Sequence, residues 1–131
     1  MKVVLVHGVF DLLHAGHLEH LKQARKFGDW LIVSVVPDKH LIKGPAIYSE
    51  MERVRLLKAL RCVNQVELCD GPGPEGIIER IKPDVYVRGS DYTDKRMPES
   101  ELLERLGIPV GYTKSVPPRT SEVIARVMDR R

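Results

Sequence analysis

Residues 2–28 read KVVLVHGVFDLLHAGHLEHLKQARKFG, and the order of residue types in this stretch decides the fold. Lys2 to His7 is a short, nearly continuous run of Val and Leu, as in a strand that is apolar on both sides, and Gly8 permits a tight turn directly after it. His14 to Lys26 then places Ala15, Leu18, Leu21 and Ala24 at the spacing of one helical face, with Gly28 as a stop. Strand, Gly-containing exit and helix follow one another with nothing between them.

The same alternation runs to the end of the chain, which is the pattern of a parallel sheet covered on both faces. We expect a doubly wound, Rossmann-like α/β domain. Its other strands are predicted at Trp30 to Val36, Gln65 to Cys69, Val85 to Arg88 and Val110 to Tyr112, in the usual order 3-2-1-4-5. Ser49 and Glu52 make a capping box for a second helix whose buried side is Val54, Leu56, Leu57 and Leu60. Shorter helices are predicted at Glu75 to Ile81 and Glu99 to Leu106, and a last one at Ser121 to Met128, capped by Thr120 or Ser121.

A length of 131 residues suits one domain, here residues 1–131, and is too short for two independent cores. With 43% apolar and 30% charged residues the composition is that of a soluble globular protein, and no run approaches the roughly 18 apolar residues of a membrane span. The chain becomes a strand too early for a signal peptide, so a cytoplasmic location is expected. Cys62 and Cys69 lack CxxC spacing, which indicates neither a disulfide framework nor a zinc site. The 21 basic and 18 acidic residues give +3, too mild and dispersed a charge to argue for nucleic acid and compatible with an anionic small substrate.

In open sheets of this kind ligands sit at the carboxyl ends of the strands, where the strand order reverses. Segments Gly8 to His17 and Gly89 to Asp91 should therefore face each other. His14 and His17 are three apart at a helix start, so both imidazoles lie on one face, and Gly16 keeps that face open. A helix N-terminus favours anions, and two adjacent His donors there create a site for a phosphoryl group. The bland reading is two histidines that satisfy a helix start or pack under a loop.

Gly8-Val9-Phe10-Asp11-Leu12-Leu13-His14-Ala15-Gly16-His17 resembles the GxFDxxHxGH signature of the cytidylyltransferase-like nucleotidyltransferases, and the likeness continues over nearly the whole chain. The resemblance implies transfer of a nucleoside monophosphate from a triphosphate to a phosphorylated small molecule, with release of pyrophosphate. It implies that His14 and His17 stabilise charge on the α-phosphate and that Gly8, Val9, Phe10, Asp11 and Gly16 belong to the nucleotide site. Lys43, in Lys43-Gly44-Pro45, matches a lysine that reaches the triphosphate, a task suited to a point charge on a flexible stem; a lysine in such a loop is otherwise simply solvated.

Arg88, Gly89, Asp91 and Tyr92 lie in a segment that resembles the one meeting the ribose or base. Asp91 would accept from hydroxyls, hold a metal or cap its own loop as an Asx turn. Arg119, Thr120 and Ser121 match an Arg and Ser/Thr cluster that cradles the β- and γ-phosphates, although the family reads RTxGxST where this chain runs straight into Glu122-Val123-Ile124. Arg53 and Arg61 match arginines of relatives and are read either as ligands of the acceptor phosphate or as a solvated helix face. The resemblance further implies Mg²⁺ or another divalent cation, with Asp11 or Asp91 as candidate ligands, and a homodimer.

Gly71-Pro72-Gly73-Pro74-Glu75-Gly76 is formally GxGxxG, but Pro72 and Pro74 have no N–H to offer a pyrophosphate, and it follows the third strand instead of the first. It is read as a turn. LHAGH, ARKFGD and PDVYVRGSDY are most similar to adenylyltransferases that act on heptose 1-phosphate in lipopolysaccharide precursor synthesis. The short KGPAIYSEMER segment is closer in length to ethanolamine-phosphate and glycerol-phosphate cytidylyltransferases. ATP and heptose 1-phosphate are therefore expected, with CTP and glycerol 3-phosphate or another phospho-alcohol as the alternative. A free-standing transferase is expected, because 131 residues leave no room for the kinase domain that some relatives carry. A non-catalytic nucleotide sensor is the reading from another class, and intact His14, His17 and Lys43 argue against it.

Overall fold

In a computed structural model, which describes residues 1–42, 44–89, 96–115 and 117–130, the apolar runs form one parallel sheet in the order β3-β2-β1-β4-β5. The strands are β1 (Val3–Gly8), β2 (Trp30–Val35), β3 (Gln65–Leu68), β4 (Val85–Gly89) and β5 (Val110–Thr113). Between and after them lie α1 (Ala15–Arg25), α2 (Glu50–Lys58), α3 (Glu75–Ile81), α4 (Ser100–Leu106) and α5 (Thr120–Asp129), with a 3-10 turn at Asp38–His40. Fold class and strand order are as the sequence predicts. Gly71 to Pro74 is a bend leading into α3.

Strand periodicity divides the core between two faces. Val4 and Val6 pack with Leu21 and Ala24 of α1 and with Val54 and Leu57 of α2. Leu5 points the other way, onto Ile77 and Ile78 of α3, Tyr86 of β4 and Leu102 and Leu103 of α4. Leu5, Leu21, Leu57, Ile77, Ile78 and Leu103 are fully buried, and each contributes roughly 1.5–3 kcal/mol by leaving water. By the same alternation His7 shares the face of Leu5 and arrives with it at the carboxyl edge of the sheet.

Three local expectations are corrected. Ala15 is exposed, because the first turn of α1 projects past the end of β1 and only later turns reach the sheet. Leu56 is 41% exposed, because the buried stripe of α2 is Arg53, Val54 and Leu57, and Leu56 lies two residues, about 200°, round from Val54. The cap of α5 is Arg119 and carries no side-chain hydrogen bond, whereas Thr120 and Ser121 are already inside the helix. No residue of α5 is buried, and Ile124, Val127 and Met128 are exposed. Among the described residues, no helix is long and apolar enough to cross a membrane.

Candidate active site

The exit of β1 is shaped by two residues in an uncommon conformation. Phe10 (φ 54°) and Leu12 (φ 51°) both adopt positive φ without being glycine, a strain of about 1–3 kcal/mol each that persists only where the surroundings enforce it. Asp11 between them does much of the enforcing. Its Oδ1 accepts from the amides of Leu12 (3.0 Å) and Tyr48 (3.0 Å), and its Oδ2 accepts from the amide of Ile47 (2.8 Å). The Phe10 ring folds back under Gly8, where a Cβ would sit 3.0 Å from it, and meets His17 edge-on with 5.7 Å between centroids.

His14 caps α1 with its own ring. Nδ1 accepts from the amides of Gly16 (3.0 Å) and His17 (3.4 Å), while Nδ1 of His17 accepts from the amide of His14 (3.3 Å), a reciprocal capping box built from two imidazoles. Both Nδ1 atoms act as acceptors, so in each neutral ring the proton sits on Nε2. The helix start therefore spends amides on its own cap and offers Nε2–H donors in their place. The Nε2 of His14 lies 3.1 Å from Oγ1 of Thr120, which joins the start of α1 to the start of α5 across 106 residues of sequence. There the uncapped first turn leaves amides for an anion.

Burial keeps these rings neutral. His17 is lowered to about 4 by desolvation, then by its His14 and His20 neighbours, against the opposing charge of Asp11. His14 and His20 are also lowered by burial, His14 against the pull of Glu122. His20 Nδ1 lies 2.6 Å from Oγ1 of Thr113 at the end of β5.

These groups open into a cleft of about 1090 Å³ between β1 and β4, where the strand order reverses. All five histidines of the chain line it. From the sequence expectations it gathers residues 8–11 with His14, Gly16 and His17, then Arg88 and Gly89 from β4, and Arg119 and Thr120 from α5. Gly44 and Pro45 also line it; Lys43, Asp91 and Tyr92 lie outside the described residues. Ser121 is exposed on α5 and is not part of the lining.

Of the opposite wall, the sequence reading picks out only Arg88, for the nucleotide; His7, Tyr86 and Glu99 are additions from the structure. Tyr86 Oη donates to Oε2 of Glu99 at 3.1 Å, and Nη2 of Arg88 approaches the same oxygen at 3.5 Å while donating to Oγ of Ser100 at 3.2 Å. Glu99 is 4% exposed and Arg88 8%. Beside them His7, whose Nδ1 lies 3.1 Å from Oγ of the buried Ser34, is lowered to about 4 by desolvation against the pull of Glu99. The available signal was strand parity, since His7 follows Leu5 and Arg88 follows Tyr86 by two.

Two assignments are corrected. Arg53 is fully buried and cannot meet an acceptor phosphate: Nη1 donates to the carbonyls of Val9 and Val36 (both 2.8 Å), Nε to that of Tyr48 (3.2 Å) and Nη2 to Oδ1 of Asp38 (2.7 Å). It is a tie between the exits of β1 and β2 and the segment before α2. Arg61 is exposed in the turn that leads into the amino end of β3, on the edge of the sheet opposite the cleft. As to a metal, no group of three or more His, Cys, Asp or Glu side chains among the described residues could hold one. The carboxylate of Asp11, taken up by three amides, does not fit that role.

The family model of the cytidylyltransferase-like proteins matches residues 5–123. The bifunctional protein HldE of Syntrophotalea carbinolica is 38% identical over an alignment of 133 positions that covers 98% of this chain and 27% of that protein. The protein of the same name from Streptomyces coelicolor is 41% identical over an alignment of 109 positions that covers 80% of this chain and 24% of that one. The chain thus spans only about a quarter of the length of these curated relatives. The crystal structure of the lipopolysaccharide core biosynthesis protein from Thermoplasma volcanium matches with a TM-score of 0.73 at 31% identity, covering 91% of this chain and 99% of that one. With the signature residues gathered around one cleft and the family model matched over most of its length, this chain belongs to the cytidylyltransferase-like family.

Proposed function

We propose that the protein transfers a nucleoside monophosphate from a triphosphate to a phosphorylated sugar, most specifically the adenylyl group of ATP to a heptose 1-phosphate. The observation that carries this reading is the convergence of His14, His17 and the uncapped start of α5 on one cleft. The acceptor's phosphate oxygen, already ionised near neutral pH, attacks the α-phosphorus in line, the bond to the β-phosphate oxygen breaks, and pyrophosphate leaves. No general base and no covalent enzyme intermediate are required. Nε2–H groups of His14 and His17, fixed before the substrate arrives, meet the charge that grows on the α-phosphate oxygens. The β- and γ-phosphates go to the amide of Thr120 at the start of α5 and to the guanidinium of Arg119, whose planar fork suits two phosphate oxygens. Lys43 is assigned to the triphosphate with them.

Proteins of this family generally work with a divalent cation, and we take it to be magnesium carried on the nucleotide's own phosphates, since Mg²⁺ leans on substrate phosphates and water more than on protein cages. The choice of ATP and heptose phosphate rests on the likeness of residues 83–92 to the heptose-phosphate branch and on the HldE relatives. We also propose a homodimer, to which the exposed apolar residues of α5 offer a surface. Pyrophosphate release from a panel of nucleoside triphosphates, each with heptose 1-phosphate, glycerol 3-phosphate and ethanolamine phosphate, tests the reading. ATP with heptose 1-phosphate should give the highest kcat/KM; a preference for CTP with a phospho-alcohol would move the protein to the cytidylyl branch.

A further inference from the structure

We propose that the wall formed by His7, Tyr86, Arg88 and Glu99 is the acceptor subsite, that it takes the uncharged, hydroxyl-rich body of a sugar phosphate, and that Glu99 is its specificity-determining residue. This rests on the transfer reading above. Position is the first argument. Leaving-group phosphates are drawn to the start of α5, which lies against His14 on the α1 side of the sheet. An in-line displacement brings the nucleophile from the side opposite the leaving group. The wall at the carboxyl edge away from α1 is the one on the Leu5 face, where His7, Tyr86 and Glu99 lie.

Chemistry is the second argument. A buried carboxylate repels phosphate, so the acceptor's phosphate belongs at the histidines and not at Glu99. An ammonium group is equally unsuited, because the guanidinium of Arg88 already stands 3.5 Å from the carboxylate and also over the Tyr86 ring at 5.6 Å. What remains is a surface without net charge that accepts at Glu99 and donates at Arg88, which matches the two-way hydrogen bonding of hydroxyl groups. Arg88 carries a sign of an absent partner: its Nε is buried and bonds to nothing among the described residues. Buried donors are rarely left so, and a ligand oxygen would satisfy it. With Nδ1 of His7 taken by Ser34, its Nε2 is the ring atom that a further hydroxyl can meet.

Calorimetric titration of the whole protein with heptose 1-phosphate, ethanolamine phosphate and inorganic phosphate tests the subsite without turnover. Wild type should bind the sugar phosphate at least about tenfold more tightly than the other two, and Glu99→Gln should weaken that binding about tenfold, the value of one charge-assisted hydrogen bond, while ATP affinity stays within about twofold. Tyr86→Phe, which keeps the volume of the core and removes one hydrogen bond to the carboxylate, should weaken sugar phosphate binding about threefold and decides the matter if Glu99→Gln does not fold. Unchanged sugar phosphate affinity in the folded variants, equal binding of sugar phosphate and inorganic phosphate by wild type, or a loss confined to ATP would overturn the proposal, the last by placing the base on this wall. Absence of pyrophosphate release with every acceptor would instead sink the transfer reading and leave these affinities standing.

Discussion

The rings of His14 and His17 stack with 3.9 Å between centroids and 26° between planes, and each accepts on Nδ1 from the other's backbone amide. Neither imidazole can turn over without breaking the cap of α1, so the two Nε2–H donors are held in place by the helix itself.

Removing either ring should lower turnover by about 10²-fold or more while nucleotide affinity changes comparatively little, the usual cost of one preorganised donor. His14→Ala should also cost about 1 kcal/mol of stability, because the helix loses its cap. Single-turnover kinetics alongside urea unfolding would separate the two effects. Near wild-type turnover in a folded His17→Ala variant would remove the ring from the chemistry.

Acid should destabilise the fold before carboxylates titrate. In the folded protein His7 and His17 hold values of about 4 against 6.5 unfolded, so between those limits the unfolded chain binds more protons. Their contribution is fully present above pH 6.5 and lost as pH falls toward 4. Urea midpoints should therefore drop between pH 7 and 5, and kcat should stay level from pH 8 to about 6.5 because neutral rings already donate. A rate that rises as pH falls through 6.5 would show that the imidazolium form is the active one.

Arg53→Ala should unfold the protein readily, since it leaves the carbonyls of Val9, Val36 and Tyr48 without their donor. The buried Val36 carbonyl left unmet costs about 1–3 kcal/mol, and the partly buried carbonyls of Val9 and Tyr48 and the cavity left by a fully buried side chain add to it, so the loss should reach about 3 kcal/mol. Arg53→Lys should keep part of that stability. A raised KM for the acceptor in a lysine variant of unchanged melting temperature would restore the phosphate-binding role rejected above.

The scaffold was largely legible because its signals are local: Val- and Leu-rich runs mark the strands, Ser49 with Glu52 marks the start of α2, and residues 8–17 point to a phosphoryl site through their resemblance to a known signature. Arg53 was not legible. Its partners come from three separate segments, and no local pattern distinguishes an arginine that will be sealed under a loop from one facing water. Glu99 was hidden similarly in the acidic run Glu99-Ser100-Glu101, where only the tertiary approach of Tyr86 and Arg88 sets it apart. His14 as its own helix cap stands in the sequence reading only as the bland alternative, because Ser, Thr, Asp and Asn are the residues sought at that position, and the structure shows that the ring caps the helix and faces the cleft together.

Arg119→Ala should weaken triphosphate binding by roughly ten- to a hundredfold, the range of one charge-assisted contact, and weaken monophosphate binding less. Arg119 stands at the uncapped start of α5, whereas the α-phosphate is assigned to the histidines. Calorimetry with both nucleotides decides it: equal losses would place Arg119 near the base or in the fold.

Side chains of β1 and β4 alternate between the two faces, so the histidine side of the cleft and the Glu99 side are read from one strand in different phase. Losing or gaining a single residue upstream in β1 would send His7 to the wrong face and strip the core of Leu5 in the same event. Length variation is thus closed to these strands and left to the loops. Within the strands, descendants of this chain can change what they accept only by exchanging one side chain for another, at every second position.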